Sequence, residues 1–134
     1  MSMTTFRDLE IQMQLPEHQP GASALEEWYE GIRDTPIEAF EDDDLCRAVR
    51  QQIFLSFLLP IAVSRLKNDP TTGGIYDGEL LVSFRSLPTS FWKENPAEAC
   101  AVRMAALRVQ VEDVGQEVIE NVKQLLQKLE SGRE

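Results

Sequence analysis

The stretch DDDLCRAVRQQIFLSFLLPIAVSRL (residues 42–66) decides the fold class. Leu45, Val49, Ile53 and Phe57 recur at a spacing of four, which gathers side chains on one face of an α-helix. From Phe54 onward apolar residues surround the helix, so it is expected to run through the centre of the molecule. Asp42 is a good N-cap, with Asp43 and Asp44 in the first turn, where the helix dipole favours negative charge. Pro60 lacks an N–H and its ring crowds the preceding turn, so the helix should kink or restart there and continue to about Leu66. KNDP (67–70) and the pair Gly73–Gly74 end it. The most apolar run, 53–63, is too short to span a bilayer.

Helical spacing continues on both sides. Upstream, Phe6, Leu9 and Met13 predict a short helix over 4–14, and residues 1–21, with Pro16, Pro20 and Gly21, read as loosely organised. Ser23 can cap a helix to Ile32, with Glu26 placed for a capping box. Leu25, Trp28, Tyr29 and Ile32 would face inward, and Glu27 and Glu30 outward. Thr35–Pro36 resembles an N-cap followed by proline at the first helical position, with Ile37 and Phe40 turned to the core. Downstream, Asp77 can cap a helix displaying Leu80, Leu81, Phe84 and Leu87, and Phe91 and Trp92 mark a short helix. Asn95 and Pro96 open the last one. Cys100, Met104, Leu107, Val111, Val114, Val118, Val122, Leu125 and Leu129 keep one helical phase through Gly115. They predict a single long helix of about 50 Å, with Gly115 as the place for a bend, that overhangs a small domain or packs against a partner. The expected architecture is an all-α single domain, 1–134, of about six helices with a long C-terminal helix.

Charge is distributed less evenly than apolar residues. Residues 1–44 carry twelve acids against two bases, Arg7 and Arg33, a net of −10 that equals the net charge of the whole chain. Residues 45–134 balance at eleven of each. Such a concentration repels nucleic acid and anionic membrane and attracts basic protein surfaces. Nucleic-acid binding is further disfavoured because no basic stripe interleaves with aromatic residues. Two distant cysteines, Cys46 and Cys100, read as buried thiols of a reducing compartment. With no basic start followed by an apolar run at the N-terminus, a cytoplasmic location is expected.

Catalytic and metal constellations are scarce. His18 is the one histidine and sits in a proline-flanked stretch, which reads as a solvated side chain. Nucleophilic triads and metal sites need clusters that one His and two separated Cys do not supply. EDDDL (41–45) has calcium-ligand residue types without the alternating spacing, central glycine and distal glutamate of a calcium loop. No phosphate-cradling glycine motif occurs. Clustered carboxylates could do acid–base work only from an apolar pocket that raises a pKa. No cofactor and no enzyme activity are expected.

DTPIEAFEDDDLCRAVRQQIFLSFLLPIAVSRLKNDPTTGGIYDGELLVSFRSLPTSFW (34–92) resembles the all-helical immunity proteins of bacterial contact-dependent growth inhibition (CDI) systems. The shared elements are the Pro36–Phe40 turn, the acid-capped helix bearing Arg50–Gln51, LLPIAVSRLKNDP (58–70), YDGELL (76–81) and Phe91–Trp92. Ile53–Ser56 is bulkier than the glycine-containing version associated with that family. The resemblance implies a non-catalytic cytoplasmic protein that binds the C-terminal toxin domain delivered by a neighbouring cell, as a 1:1 complex. Such toxins are often nucleases with basic surfaces, so an acidic face would dock there. The candidate toxin-binding residues are Glu26, Glu27, Tyr29, Glu30, Asp34, Glu38, Glu41, Asp42, Asp43 and Asp44, with Trp28 and Tyr29 as aromatic anchors or core residues. Gln51, Pro60, Tyr76, Asp77 and Gly78 read as structural, and Glu79 as exposed on the turn after Asp77. Homo-oligomerisation is left open. The alternative is a helical adaptor that binds another protein through the C-terminal apolar seam.

Overall fold

The computed structural model describes residues 4–16 and 21–131, so Glu17, His18 and Pro20 lie outside it. The described residues are all-α, with nine α-helices, two short 3-10 turns and no strand. They fall into two compact units, 1–41 and 42–134.

The first unit is built on helices α1 (Phe6–Gln12) and α2 (Ala24–Ile32), followed by a 3-10 turn at Ile37–Ala39. Thr5 opens α1 with a reciprocal cap. Its hydroxyl accepts the Asp8 N–H, and the Asp8 carboxylate accepts the Thr5 N–H, each at 3.1 Å. Phe6 and Leu9 are fully buried, but Met13, expected beside them, is half exposed. The helix stops first: Gln14 takes a left-handed conformation, its N–H bonding the Ile11 carbonyl while Leu15 N–H bonds that of Glu10. This pair of bonds is a Schellman closure, in which a left-handed residue satisfies the last carbonyls. Ser23 caps α2, accepting the Glu26 N–H at 3.1 Å, and its hydroxyl donates to the Glu26 carboxylate at 2.9 Å. The expected inner face is graded: Ile32 is buried, Trp28 and Tyr29 half-buried, and Leu25 exposed. Pro36, rather than Thr35, precedes the 3-10 turn, whose Ile37 and following Phe40 are buried as expected. Phe6 stacks on Tyr29 and meets Phe40 edge-on, with ring centroids 5.5 and 5.2 Å apart.

The second unit contains α3 (Asp42–Arg50), α4 (Leu55–Asn68), α5 (Glu79–Ser83), a 3-10 turn at Phe84–Ser86, α6 (Thr89–Glu94), α7 (Pro96–Leu107), α8 (Val111–Val114) and α9 (Gln116–Ser131). Its core joins Leu45, Val49, Leu58, Leu66, Leu80, Leu81, Phe84, Leu87 and Trp92. Helix α4 packs on α7, α3 on α5, and α5 on α9.

Three expectations are corrected here. The helix that begins at Asp42 does not run on to Pro60. Gln52 N–H bonds the Val49 carbonyl and Ile53 N–H that of Ala48, a second Schellman closure with Gln52 left-handed at φ 57°. Phe54, also left-handed, then opens α4, so the restart precedes Pro60, which sits inside the new helix. The C-terminal helix is not continuous either. It breaks at Arg108–Gln110, where Gln110 is extended and caps α8, and again at Gly115, φ 89°. Helices α7 and α9 therefore pack on each other, and the continuous apolar seam that motivated an adaptor is broken. The seam holds only in α9, where Val122, Leu125 and Leu129 are buried. In α7 the inner face is Ala99, Val102, Ala105 and Ala106, while Cys100, Met104 and Leu107 are exposed. Small side chains let α7 approach α4 closely, and the larger ones are turned outward.

Candidate functional site

In the first unit, Glu26, Glu27, Asp34, Glu38 and Glu41 are exposed, and Tyr29 and Glu30 are half-buried. Asp34 takes Arg7 in a two-pronged pair, Nε to Oδ1 at 2.5 Å and Nη2 to Oδ2 at 3.0 Å. The hydrogen bond from Arg7 holds the Asp34 carboxyl below its ordinary value. Tyr29 is less available than its sequence position suggests. Its hydroxyl donates to Glu10 Oε2 at 2.5 Å and its ring lies on Phe6. Burial, then the hydrogen bond to Glu10, raises the phenol well above its ordinary value, so it stays neutral. Glu10 is the centre of this arrangement. It is buried, and Arg33 Nε donates to both carboxylate oxygens at 2.9 and 3.0 Å, with Nη2 reaching Oε1 at 2.5 Å. Glu10, one of the twelve acids of residues 1–44, is thus the internal tie that joins α1 to Tyr29 of α2 and to Arg33 just after it.

In the second unit the acidic triad opens α3. Asp42 is the first helical residue, and its Oδ1 accepts Arg65 Nη1 at 2.9 Å, which ties α3 to α4. Asp43 is exposed, and its Oδ1 accepts the Asp44 N–H at 3.0 Å. Asp44 is half-buried.

Sequence reasoning missed Glu79. It is buried, not exposed, with 1% of its surface accessible. Oε1 accepts the backbone N–H groups of Gly74 and Ile75 at 3.0 and 2.9 Å, and Oε2 accepts Arg50 Nη1 at 2.9 Å. Burial alone would push this carboxyl up. The Ile75 N–H, Arg50 and the Gly74 N–H outweigh it and leave the group below its ordinary value, ionised. Ser83 Oγ donates to the Glu79 carbonyl at 2.8 Å and also receives Arg50. Burial and the Glu79 charge push the neighbouring Cys46 thiol up to about 12, so it is protonated and inert at neutral pH. Cys100, by contrast, is exposed, which corrects the expectation of two buried thiols.

The residues read as structural divide. Gly78 is buried at φ 90°, and a Cβ there would lie 2.8 Å from Val118 Cγ1, so glycine is required both by conformation and by contact. Gly78, not Asp77, precedes the first residue of α5. Gln51, Pro60, Tyr76 and Asp77 are exposed. Among the described residues no three His, Cys, Asp or Glu side chains are grouped to hold a metal, and no helix is long and apolar enough to cross a membrane.

A family model described as CDI immunity proteins matches residues 10–102, more than half of the chain. No curated protein matches it. The chain belongs to the CDI immunity proteins.

Proposed function

We propose that this CDI immunity protein binds the C-terminal toxin domain of its own CDI system in the cytoplasm and neutralises it as a 1:1 complex, without catalysis. The toxin is a nuclease, and the acidic residues Glu26, Glu27, Glu30, Asp34, Glu38 and Glu41 of the first unit oppose its basic substrate-binding face. One observation carries this reading: nine acids and two bases occupy residues 1–41, and five of the candidate carboxylates there stand in solvent. Nine acids against two bases give residues 1–41 a net charge of −7, and both bases are engaged, Arg33 by Glu10 and Arg7 by Asp34. Such a field raises the rate of encounter with a basic partner and discriminates against others more than it adds affinity.

The test begins with the coding region immediately upstream of this chain, where the proposal places the toxin domain. Mixing the purified partners should give a 1:1 complex and suppress toxin activity. Association should slow steeply as salt is raised. Reversing Glu27, Glu38 and Glu41 to Lys together should cut the association rate at low salt by about tenfold and flatten the salt dependence. Association that is equally fast for both proteins would remove the electrostatic part of the reading. Failure of the wild-type chain to bind would remove the whole of it.

A further inference from the structure

The loop between α4 and α5 presents two adjacent apolar side chains to solvent. Ile75 is 76% exposed and Tyr76 42% exposed. Singly exposed apolar residues are common and mean little. This pair differs because the backbone that carries it is fixed. Glu79 spends a buried carboxylate oxygen on the N–H groups of Gly74 and Ile75. Gly78 N–H bonds the Thr71 carbonyl at 2.7 Å and Leu80 N–H that of Thr72 at 3.1 Å, closing the base of the loop. Asp69 holds its start, accepting Thr71 N–H at 2.9 Å and the Thr71 hydroxyl at 2.7 Å. Gly74 is pressed against the first turn of α3: a Cβ there would sit 2.3 Å from Asp43 Cβ and 2.4 Å from Asp43 N. The apolar tip therefore stands beside the acidic start of α3, with exposed Asp43 on one side and exposed Asp77 following Tyr76 in the chain. Arg50, the cation at the base of the loop, is engaged by Glu79 and Ser83.

We infer that Ile75 and Tyr76 are the apolar anchor of the toxin interface, inserted into a pocket of the toxin domain whose rim is basic and meets Asp43 and Asp77. The inference rests on the function proposed above and names the surface that supplies affinity to it. Interfaces draw most of their affinity from a few central anchors and surround them with charged residues. Here two apolar side chains, Ile75 and Tyr76, are followed by the acid Asp77 along a pinned loop. A loop already ordered in the free protein loses little conformational freedom on docking, which is the benefit a buried carboxylate at its base provides. The acids of the first unit would set the rate of encounter, and this tip the lifetime of the complex.

The experiment compares the wild-type chain with the double substitution Ile75→Ser and Tyr76→Ser, titrated against the upstream-encoded toxin domain. Thermal melting of the free proteins should differ little, since Ile75 is mostly exposed and Tyr76 partly so. The double substitution should weaken binding by about 100-fold, mostly through faster dissociation, and weakening of at least about tenfold supports the inference. A smaller change, with the wild-type chain binding normally, overturns it while leaving the toxin-binding function in place. Wild-type protein that does not bind the toxin domain sinks both. If the double substitution lowers the melting temperature, Ile75→Ser alone is judged by the same tenfold threshold. A change in self-association with toxin affinity unaltered would assign the tip to contacts between copies and also overturn it.

Discussion

Among the described residues each unit buries one carboxylic side chain, Glu10 in the first and Glu79 in the second, and the two are satisfied in opposite ways. In the first unit Glu10 is met by the Arg33 guanidinium and the Tyr29 hydroxyl, all side chains, which tie one helix to another. In the second, Glu79 is met by two backbone N–H groups and Arg50, which tie a loop to the start of a helix. The difference follows core size. Among its described residues the first unit buries Phe6, Leu9, Ile32, Ile37 and Phe40, a small core for two short helices. A directional ion pair with a fork-shaped partner supplies the register that packing does not. The second unit has a large apolar core and uses its buried charge to shape a surface. A buried ion is therefore a structural tie in one region and a means of presentation in the other.

The contrast can be broken at Glu10. Glu10→Ala takes the hydrogen-bond acceptor from Tyr29 and the closest carboxylate from Arg33, leaving only the Glu30 charge nearby, and should be the most destabilising of these changes. Amide hydrogen exchange in α1 and α2 should rise steeply, while exchange in α4 and α7 stays near wild type. Equal acceleration in both units would show that the tie is not local.

Glu79→Gln should have the next largest effect, about 1.5–3 kcal/mol, because it weakens three hydrogen bonds to a charged acceptor. The sign of its pH dependence is fixed by the direction of the shift. The folded-state carboxyl titrates below the ordinary 4.5, so its contribution is complete above that pH and is lost as pH falls through the lower folded value. The stability gap between wild type and Glu79→Gln should be constant at neutral pH and narrow below pH 4.5. Unlike Glu10→Ala, this change should speed exchange at Gly74 and Ile75 before it affects the helices. A gap that widens in acid would mean the carboxyl is protonated in the folded state.

Much of this was legible in sequence, and the parts that were not have identifiable causes. Helical class, the cap at Ser23, the start at Asn95–Pro96 and the inward Leu80, Leu81, Phe84 and Leu87 follow from local rules and were read correctly. Glycine and proline mark most breaks, but two helices end on glutamines, Gln14 and Gln52, which carry no such mark. In α7 two faces are apolar, and periodicity favours the one with larger side chains. Packing against α4 chose the alanines, because close approach between helices depends on partners that one helix does not encode. Glu79 was misread because its donors are backbone groups four and five residues upstream, and their direction is set by the loop rather than by residue type.

Those two glutamines give the smallest effect and the finest comparison of the units. A left-handed residue with a Cβ costs roughly 1–2 kcal/mol relative to glycine in the folded chain. Glycine recovers that strain but adds freedom to the unfolded chain, so the net gain from Gln14→Gly or Gln52→Gly should be about 0.5–1 kcal/mol. The closures are alike in hydrogen bonding, with Gln14 and Gln52 each bonding three residues back and the next residue five back. Local gains should therefore match, and only their reach should differ. In the first unit, whose core is small, Gln14→Gly should slow exchange throughout α1. Gln52→Gly relieves a joint between two helices that the large core already holds, so its effect should stay near residues 50–56. If Gln52→Gly instead lowers stability, the side chain of Gln52 makes a contact worth more than the strain it carries.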